Sequence, residues 1–280
     1  MVNGVVQRMA KKNIIVDMGK AEAILPHREQ IKKQKLQIGD RIKVYILKVE
    51  PGSRGPHIIV SRTHPGLVKR LFELEVPEVY DKTVEIKQIV RDPGVRCKVA
   101  VVSYNDKVDP VGACVGVKGS RVQSIITELG GERMDLILWS DDIEQYIKNS
   151  LSPAKVERVM IDREKKEAFV TVADDMLSLA IGKAGQNVRL AARLTNWHID
   201  IKSVSQRKVE AEAKVEKGID ELLKLPGVGK KTAEILYKAG FRNRDSLRNA
   251  NKDILKSITG IGPKTADKIL EAIKKAGGEK

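Results

Sequence analysis

The chain has 280 residues, 41% hydrophobic and 32% charged, and a formal charge of +15 that favours a polyanionic partner. Aromatics are only 4%, which argues against binding carried chiefly by base stacking. Cys97 and Cys114 form no Cys-x-x-Cys pair, excluding a zinc ribbon, and with no signal peptide or long apolar run a reduced, cytoplasmic chain is expected.

Residues 1–63 read as five short strands: Val2 to Met9, Asn13 to Asp17, Ala21 to Leu25, Arg41 to Val49 and His57 to Ser61. Turn signals at Met18-Gly19, Ile38-Gly39-Asp40 and Pro51-Gly-Ser-Arg-Gly-Pro56 separate them, and the long connection before the fourth predicts an OB-type barrel. Tyr45 is its main candidate for stacking a base. The first strand starts almost at Met1, so a piece cut close to a domain edge is expected.

Residues 64–140 and 141–205 read as two copies of one unit: helix, strand, strand, helix, Gly-x-x-Gly, helix, strand. In the first, the helix Leu67 to Val76 precedes strands Val84 to Val90 and Cys97 to Val102. Gly116-Val117-Lys118-Gly119 follows, with Arg121 beyond it and a last strand Met134 to Leu138. In the second, a helix Ile143 to Asn149 precedes strands Val156 to Ile161 and Ala168 to Val172. Gly182-Lys183-Ala184-Gly185 follows, then Gln186, Asn187, Arg189 and Arg193 on the next helix and a strand His198 to Ile201. Glycines let a phosphate approach the backbone, and the N-terminus of the following helix offers N–H groups and a positive dipole end. The expected result is one rigid platform with a continuous basic groove.

Residues 206–217 are charged helix formers that read as a linker, as a helix or a tether. In residues 218–280, Leu225-Pro-Gly-Val-Gly-Lys-Lys-Thr-Ala233 recurs as Ile258-Thr-Gly-Ile-Gly-Pro-Lys-Thr-Ala266, 33 positions on. Gly227, Gly229, Lys230 and Lys231 in the first hairpin, and Gly260, Gly262 and Lys264 in the second, are candidates for contact with nucleic acid or with a protein.

Sites of chemistry fail on spacing. The run from Gly112 to Ser120 lacks the P-loop pattern because position 117 is Val, and Gly227 to Thr232 lacks its first glycine. Asp141-Asp142 and Asp174-Asp175 stand where helices begin, so capping accounts for them. His27, His57, His64 and His198 are scattered. No metal, cofactor or catalytic group is expected, and the chain is read as a non-enzyme.

The element order with Gly-x-x-Gly resembles KH domains of the bacterial, type II kind, which implies that each clamps about four nucleotides of a single strand. The first 63 residues are similar to S1 domains through Gly4-Val-Val, Ile14 to Lys20, Ala23 to Pro26 and Gly39 to Val44. The C-terminal repeat resembles a helix-hairpin-helix pair. The fold class is thus multidomain α+β: an S1-type barrel, two type II KH domains and an all-α module. The order, with Gly4-Val-Val-Gln-Arg8, Phe72 to Glu78, Val111-Gly-Ala-Cys114 and Ala180 to Thr195, resembles the NusA family of bacterial transcription factors. That resemblance implies contact with nascent single-stranded RNA at RNA polymerase, with other Nus-type factors as partners, and effects on pausing, termination and antitermination. It carries RNA contact onto Gly116 to Gly119, Arg121, Gly182 to Gly185, Gln186, Asn187, Arg189 and Arg193. A monomer is expected, and Gly116→Asp with Gly182→Asp is expected to abolish RNA binding with the fold intact. The rival reading is a DNA repair or recombination accessory protein acting through the helix-hairpin-helix pair.

Overall fold

The computed structural model describes residues 1–52, 55–243, 245–247 and 250–277, so Ser53 and Arg54 of the turn expected before the fifth strand lie outside it. The chain forms two compact units, Met1–Ser203 and Val204–Lys280.

The first unit begins with a closed barrel of β1 (Val2–Ala10), β2 (Asn13–Asp17), β3 (Glu22–Leu25), β4 (Arg41–Glu50) and β5 (His57–Ser61), in the order β1-β2-β3-β5-β4. Alternation sends Val6, Ile14, Val16, Ala23, Leu25, Ile42, Val44, Ile58 and Val60 into its core. The parallel pair β3–β5, with Ala23 opposite Ile58, closes the ring and leaves no free edge. Gly4 is required where β1 crosses β2, since an added Cβ would run into Val16.

The first KH unit follows as α1 (Pro65–Glu75), α2 (Pro77–Tyr80), β6 (Val84–Asp92), β7 (Arg96–Ser103), α3 (Pro110–Val115), α4 (Ser120–Glu128) and β8 (Arg133–Leu138). Its sheet runs β6-β7-β8, with β7 and β8 parallel. Apolar faces of α1 (Leu67, Val68, Leu71, Phe72) and α4 (Ile125) cover one side, and Cys97 and Cys114 are buried there. The second unit repeats the plan with α5 (Ile143–Ser150), β9 (Val156–Asp162), β10 (Glu167–Val172), α6 (Leu177–Ile181), α7 (Gln186–Thr195) and β11 (His198–Ser203), its sheet running β9-β10-β11. Asp142 caps α5 by accepting the Glu144 N–H at 3.1 Å, the role expected of it.

Barrel and first KH unit are mortised together. Ile31, from the long barrel connection, is 2% exposed inside the KH core. Arg62 is wholly buried and donates to the carbonyls of Lys43 and Glu128, the Glu128 carboxylate at 3.0 Å and the Gln34 amide at 3.1 Å. Beside it Arg91 and Glu132 form a buried two-pronged ion pair at 2.8 and 2.7 Å, and Glu132 also accepts the Gly94 N–H. Charges this deep are tolerated because every one is met by a counter-charge or a carbonyl.

The two KH units share a core as well: Val90, Ala100 and Ile137 on the outer face of the first sheet meet Tyr146, Leu190 and Leu194 of the second unit. Lys98, fully buried at this seam, donates to Asp135 at 2.8 Å and to the Ser152 carbonyl at 2.9 Å.

The second compact unit holds α8 (Val204–Leu223), α9 (Lys230–Lys238), α10 (Lys252–Lys256) and α11 (Pro263–Gly277) around Leu222, Leu225, Leu236, Leu247, Leu255 and Ile269. One unbroken helix therefore spans the stretch 206–217.

Candidate nucleic-acid interface

The two Gly-x-x-Gly turns have one backbone conformation. Gly116 has φ, ψ of 75°, 175°, Lys118 51°, 26° and Gly119 79°, 12°. Gly182, Ala184 and Gly185 stand at 75°, 169°, at 51°, 34° and at 69°, 17°. Positive φ at three of four positions explains the glycines, and the third position in each turn carries the strain of a side chain there. In both, the last N–H of the turn donates to the first carbonyl at 3.1 Å. The middle residues, Val117 and Lys118 or Lys183 and Ala184, are exposed. No side chain caps α4 or α7, and the first N–H of each, on Ser120 and Gln186, donates back to the turn carbonyl of Val117 or Lys183.

The first and last glycines differ in what lies behind them. A Cβ on Gly116 would come within 2.6 Å of Arg121, and one on Gly182 within 2.8 Å of Asn187. Gly119 has nothing within 4 Å, and Gly185 only Val188 at 4.0 Å. The outer-face glycines are thus Gly119 and Gly185, while Gly116 and Gly182 rest on packed side chains.

Those side chains brace the turns from beneath. Arg121 donates to Glu78 at 2.9 Å and to the Ala113 carbonyl at 2.7 Å. Asn187 is fully buried and its amide donates to the carbonyls of Leu151 at 2.9 Å and Ala180 at 3.1 Å. Gln186, Arg189 and Arg193 converge on one carboxylate of the first KH unit, Asp92: Gln186 at 3.0 Å, Arg189 at 2.9 Å and Arg193 at 3.4 Å. Burial raises the Asp92 pKa, but the hydrogen bonds from Gln186 and Arg189 and the charges of both arginines outweigh it and leave it below the usual carboxylate value. Arg189 and Arg193 remain about half exposed, so each keeps a face toward solvent beside its bond to Asp92.

A groove of about 740 Å³ runs from the second turn to the first KH unit, lined among others by Lys183, Arg189, Gly94, Gly131, Arg133 and Lys33. Lys33 comes from the barrel connection. A second groove, about 590 Å³, lies between α4 (Ser120, Gln123, Thr127) and barrel residues Gln34, Arg41 and Lys43. Nothing local in the sequence marks Lys33, Arg41, Lys43 and Arg133 as groove residues, apart from the run Lys32-Lys33-Gln34-Lys35 around the first. Tyr45, the barrel's candidate ring, stacks on His64 at 4.7 Å and packs on the first KH core.

In the second compact unit Gly227 and Gly260 have φ of 82° and 99°, and Lys230, Lys231 and Lys264 are exposed near Gly229 and Gly262, with α9 starting at Lys230 and α11 at Pro263. Among the described residues no group of acidic, His or Cys side chains could hold a metal ion, and no helix is long and apolar enough to cross a membrane.

Family models match along the chain: an S1 RNA binding domain over residues 1–61, a NusA-like first KH domain over 62–139, a NusA-like second KH domain over 143–209 and a SAM-like helix-hairpin-helix tandem over 219–275. The transcription termination/antitermination protein NusA of Halalkalibacterium halodurans is 56% identical over 206 residues, 74% of this chain and 54% of that protein. Its namesakes in Bacillus subtilis (55% identical, 72% of this chain, 55% of that protein) and Thermus thermophilus (47%, 80% and 61%) align similarly. The chain spans about half the length of the curated relatives it matches.

Proposed function

From the premise that this chain belongs to the NusA family, we propose that it binds nascent single-stranded RNA and thereby modulates pausing, termination and antitermination by RNA polymerase. Support comes from one observation above all: the same Gly-x-x-Gly backbone recurs in two domains that share a core. The mechanism is binding without chemistry. Exposed Lys118 and Lys183 neutralise phosphates, the turn backbone and helix N-termini meet phosphate oxygens, and the grooves beside the turns receive unstacked bases. Arg121 and Asn187 act by holding the turns, and Gln186, Arg189 and Arg193 by holding α7 to the first KH unit, the arginines also presenting charge. RNA polymerase and other Nus-type factors are the proposed protein partners of a monomeric, cytoplasmic chain, and the helix-hairpin-helix hairpins its contact for protein or nucleic acid.

The test is binding to a short unstructured RNA, the matching single-stranded DNA and a duplex DNA across a salt series. Preference for the RNA, with a salt slope of a few released ions, is expected. Gly119→Asp with Gly185→Asp should weaken RNA binding roughly a hundredfold, about tenfold per turn, with the fold retained and the melting temperature lowered only by the cost of two left-handed aspartates, about 1–3 kcal/mol each. These positions replace Gly116 and Gly182, where any side chain collides with the packing beneath. Preference for duplex DNA, abolished by removing residues 204–280, would refute the RNA reading in favour of the helix-hairpin-helix pair.

A further inference from the structure

The chain has ten aromatic residues, and only Tyr80 and Tyr104 are largely exposed, at 77% and 69%. Both line one cavity, about 530 Å³, where α1 meets the free edge of β6, together with Lys69, Arg70 and Lys82. Lys87 carries the pattern onward: its Nζ stands 5.3 Å from the Tyr104 ring centre and 5.2 Å from that of Trp139. The Tyr104 hydroxyl donates to Glu85 at 3.0 Å, which fixes the ring with Lys87 over one face and most of its surface in solvent. Glu73 and Glu85 are matched by Arg70 and Lys87, and among the described residues Lys69 and Lys82 form no ion pair. Exposed rings contribute nothing to a core. Rings alternating with cations are what a single strand needs, a π-face for each base and a charge for each phosphate.

The place is also one a bound strand would reach. β7 and β8 finish, and β6 begins, at the end of the sheet where these rings stand. The opposite end carries Gly94 and Arg133, which line the groove facing the second turn. A strand that crosses that groove and continues over the first KH unit therefore leaves it at the ring end. Tyr80 ends α2, whose Glu78 braces Arg121 behind the first turn.

We propose that Tyr80 and Tyr104, with Lys69 and Lys82, form an additional subsite for single-stranded RNA, stacking bases that leave the first KH clamp. The subsite rests on the RNA reading above. It is tested on the full chain with a ten-nucleotide unstructured RNA, enough for two clamps of about four nucleotides each, and with the same RNA lengthened by six at one end or the other. Lengthening at one end tightens binding, by about fivefold or more per ring. Tyr80→Ala with Tyr104→Ala removes that gain and leaves the ten-nucleotide affinity unchanged; Tyr80→Phe with Tyr104→Phe retains it. A gain that persists in the alanine chain, or is lost in the phenylalanine chain, overturns the subsite alone and hands the rings to another partner. Failure of the unaltered chain to bind the ten-nucleotide RNA overturns the clamp reading and the subsite with it.

Discussion

Asn187 has no contact with the outer face of the turn, yet it decides where Gly182 can sit. Its amide spans the residue that caps the end of α5, Leu151, and the end of α6, Ala180, while its own Oδ1 is buried without a partner. Asn187→Ala should destabilise the first compact unit by about 1–3 kcal/mol, measured by urea unfolding, because two buried carbonyls lose their donor. RNA affinity should fall with it, as the end of α6 that leads into the turn loses its tie to α7. The cysteines behave oppositely, being silent by placement. Burial pushes the Cys114 thiol up to about 12 and the Cys97 thiol higher still, with neighbouring carboxylates adding to both. Neither forms thiolate at pH 8, so a thiol reagent should label the folded chain negligibly and the denatured chain twice.

At the scale of elements, Asp92 at the end of β6 is the peg that receives α7. Its folded pKa lies below the usual aspartate value, so its contribution is fully present above about pH 4 and is lost as the pH falls through the folded pKa. Asp92→Asn should cost about 0.5–1 kcal/mol at pH 6, given half-exposed arginine partners, and the difference from the unaltered chain should be smaller at pH 3. Unfolding curves at both pH values check it. The same peg shows what a sequence discloses. Strand alternation, helical periodicity and the glycine pairs are local, and from them the barrel, both KH units and the conformation-bearing turns are legible. Arg121 and Arg189 look like free cations in the sequence because Glu78 and Asp92 lie 43 and 97 residues away. Tyr45 looks like a binding ring because its stack on His64 exists only once the barrel is seated. Lys33 reaches the groove by the path of a long connection that no period describes.

Across the whole molecule, the Arg62–Glu128 ion pair ties the barrel to the first KH unit and a shared core ties the two KH units, while residues 204–277 keep a separate core. Calorimetry should therefore resolve two transitions. Glu132→Gln, which strands the buried Arg91 charge, should lower the transition of the first unit by about 3–5 kcal/mol and leave the other where it was. A fixed body also changes what two weak grips can achieve. Under the proposed RNA reading, once one turn holds a strand the other meets the next few nucleotides at a local concentration in the millimolar range, set by the length of RNA between them. Grips that would each release in an instant then let go only together. Residence on the transcript becomes a matter of spacing, and a strand with its flexible segments a few nucleotides too close or too far apart is simply not retained.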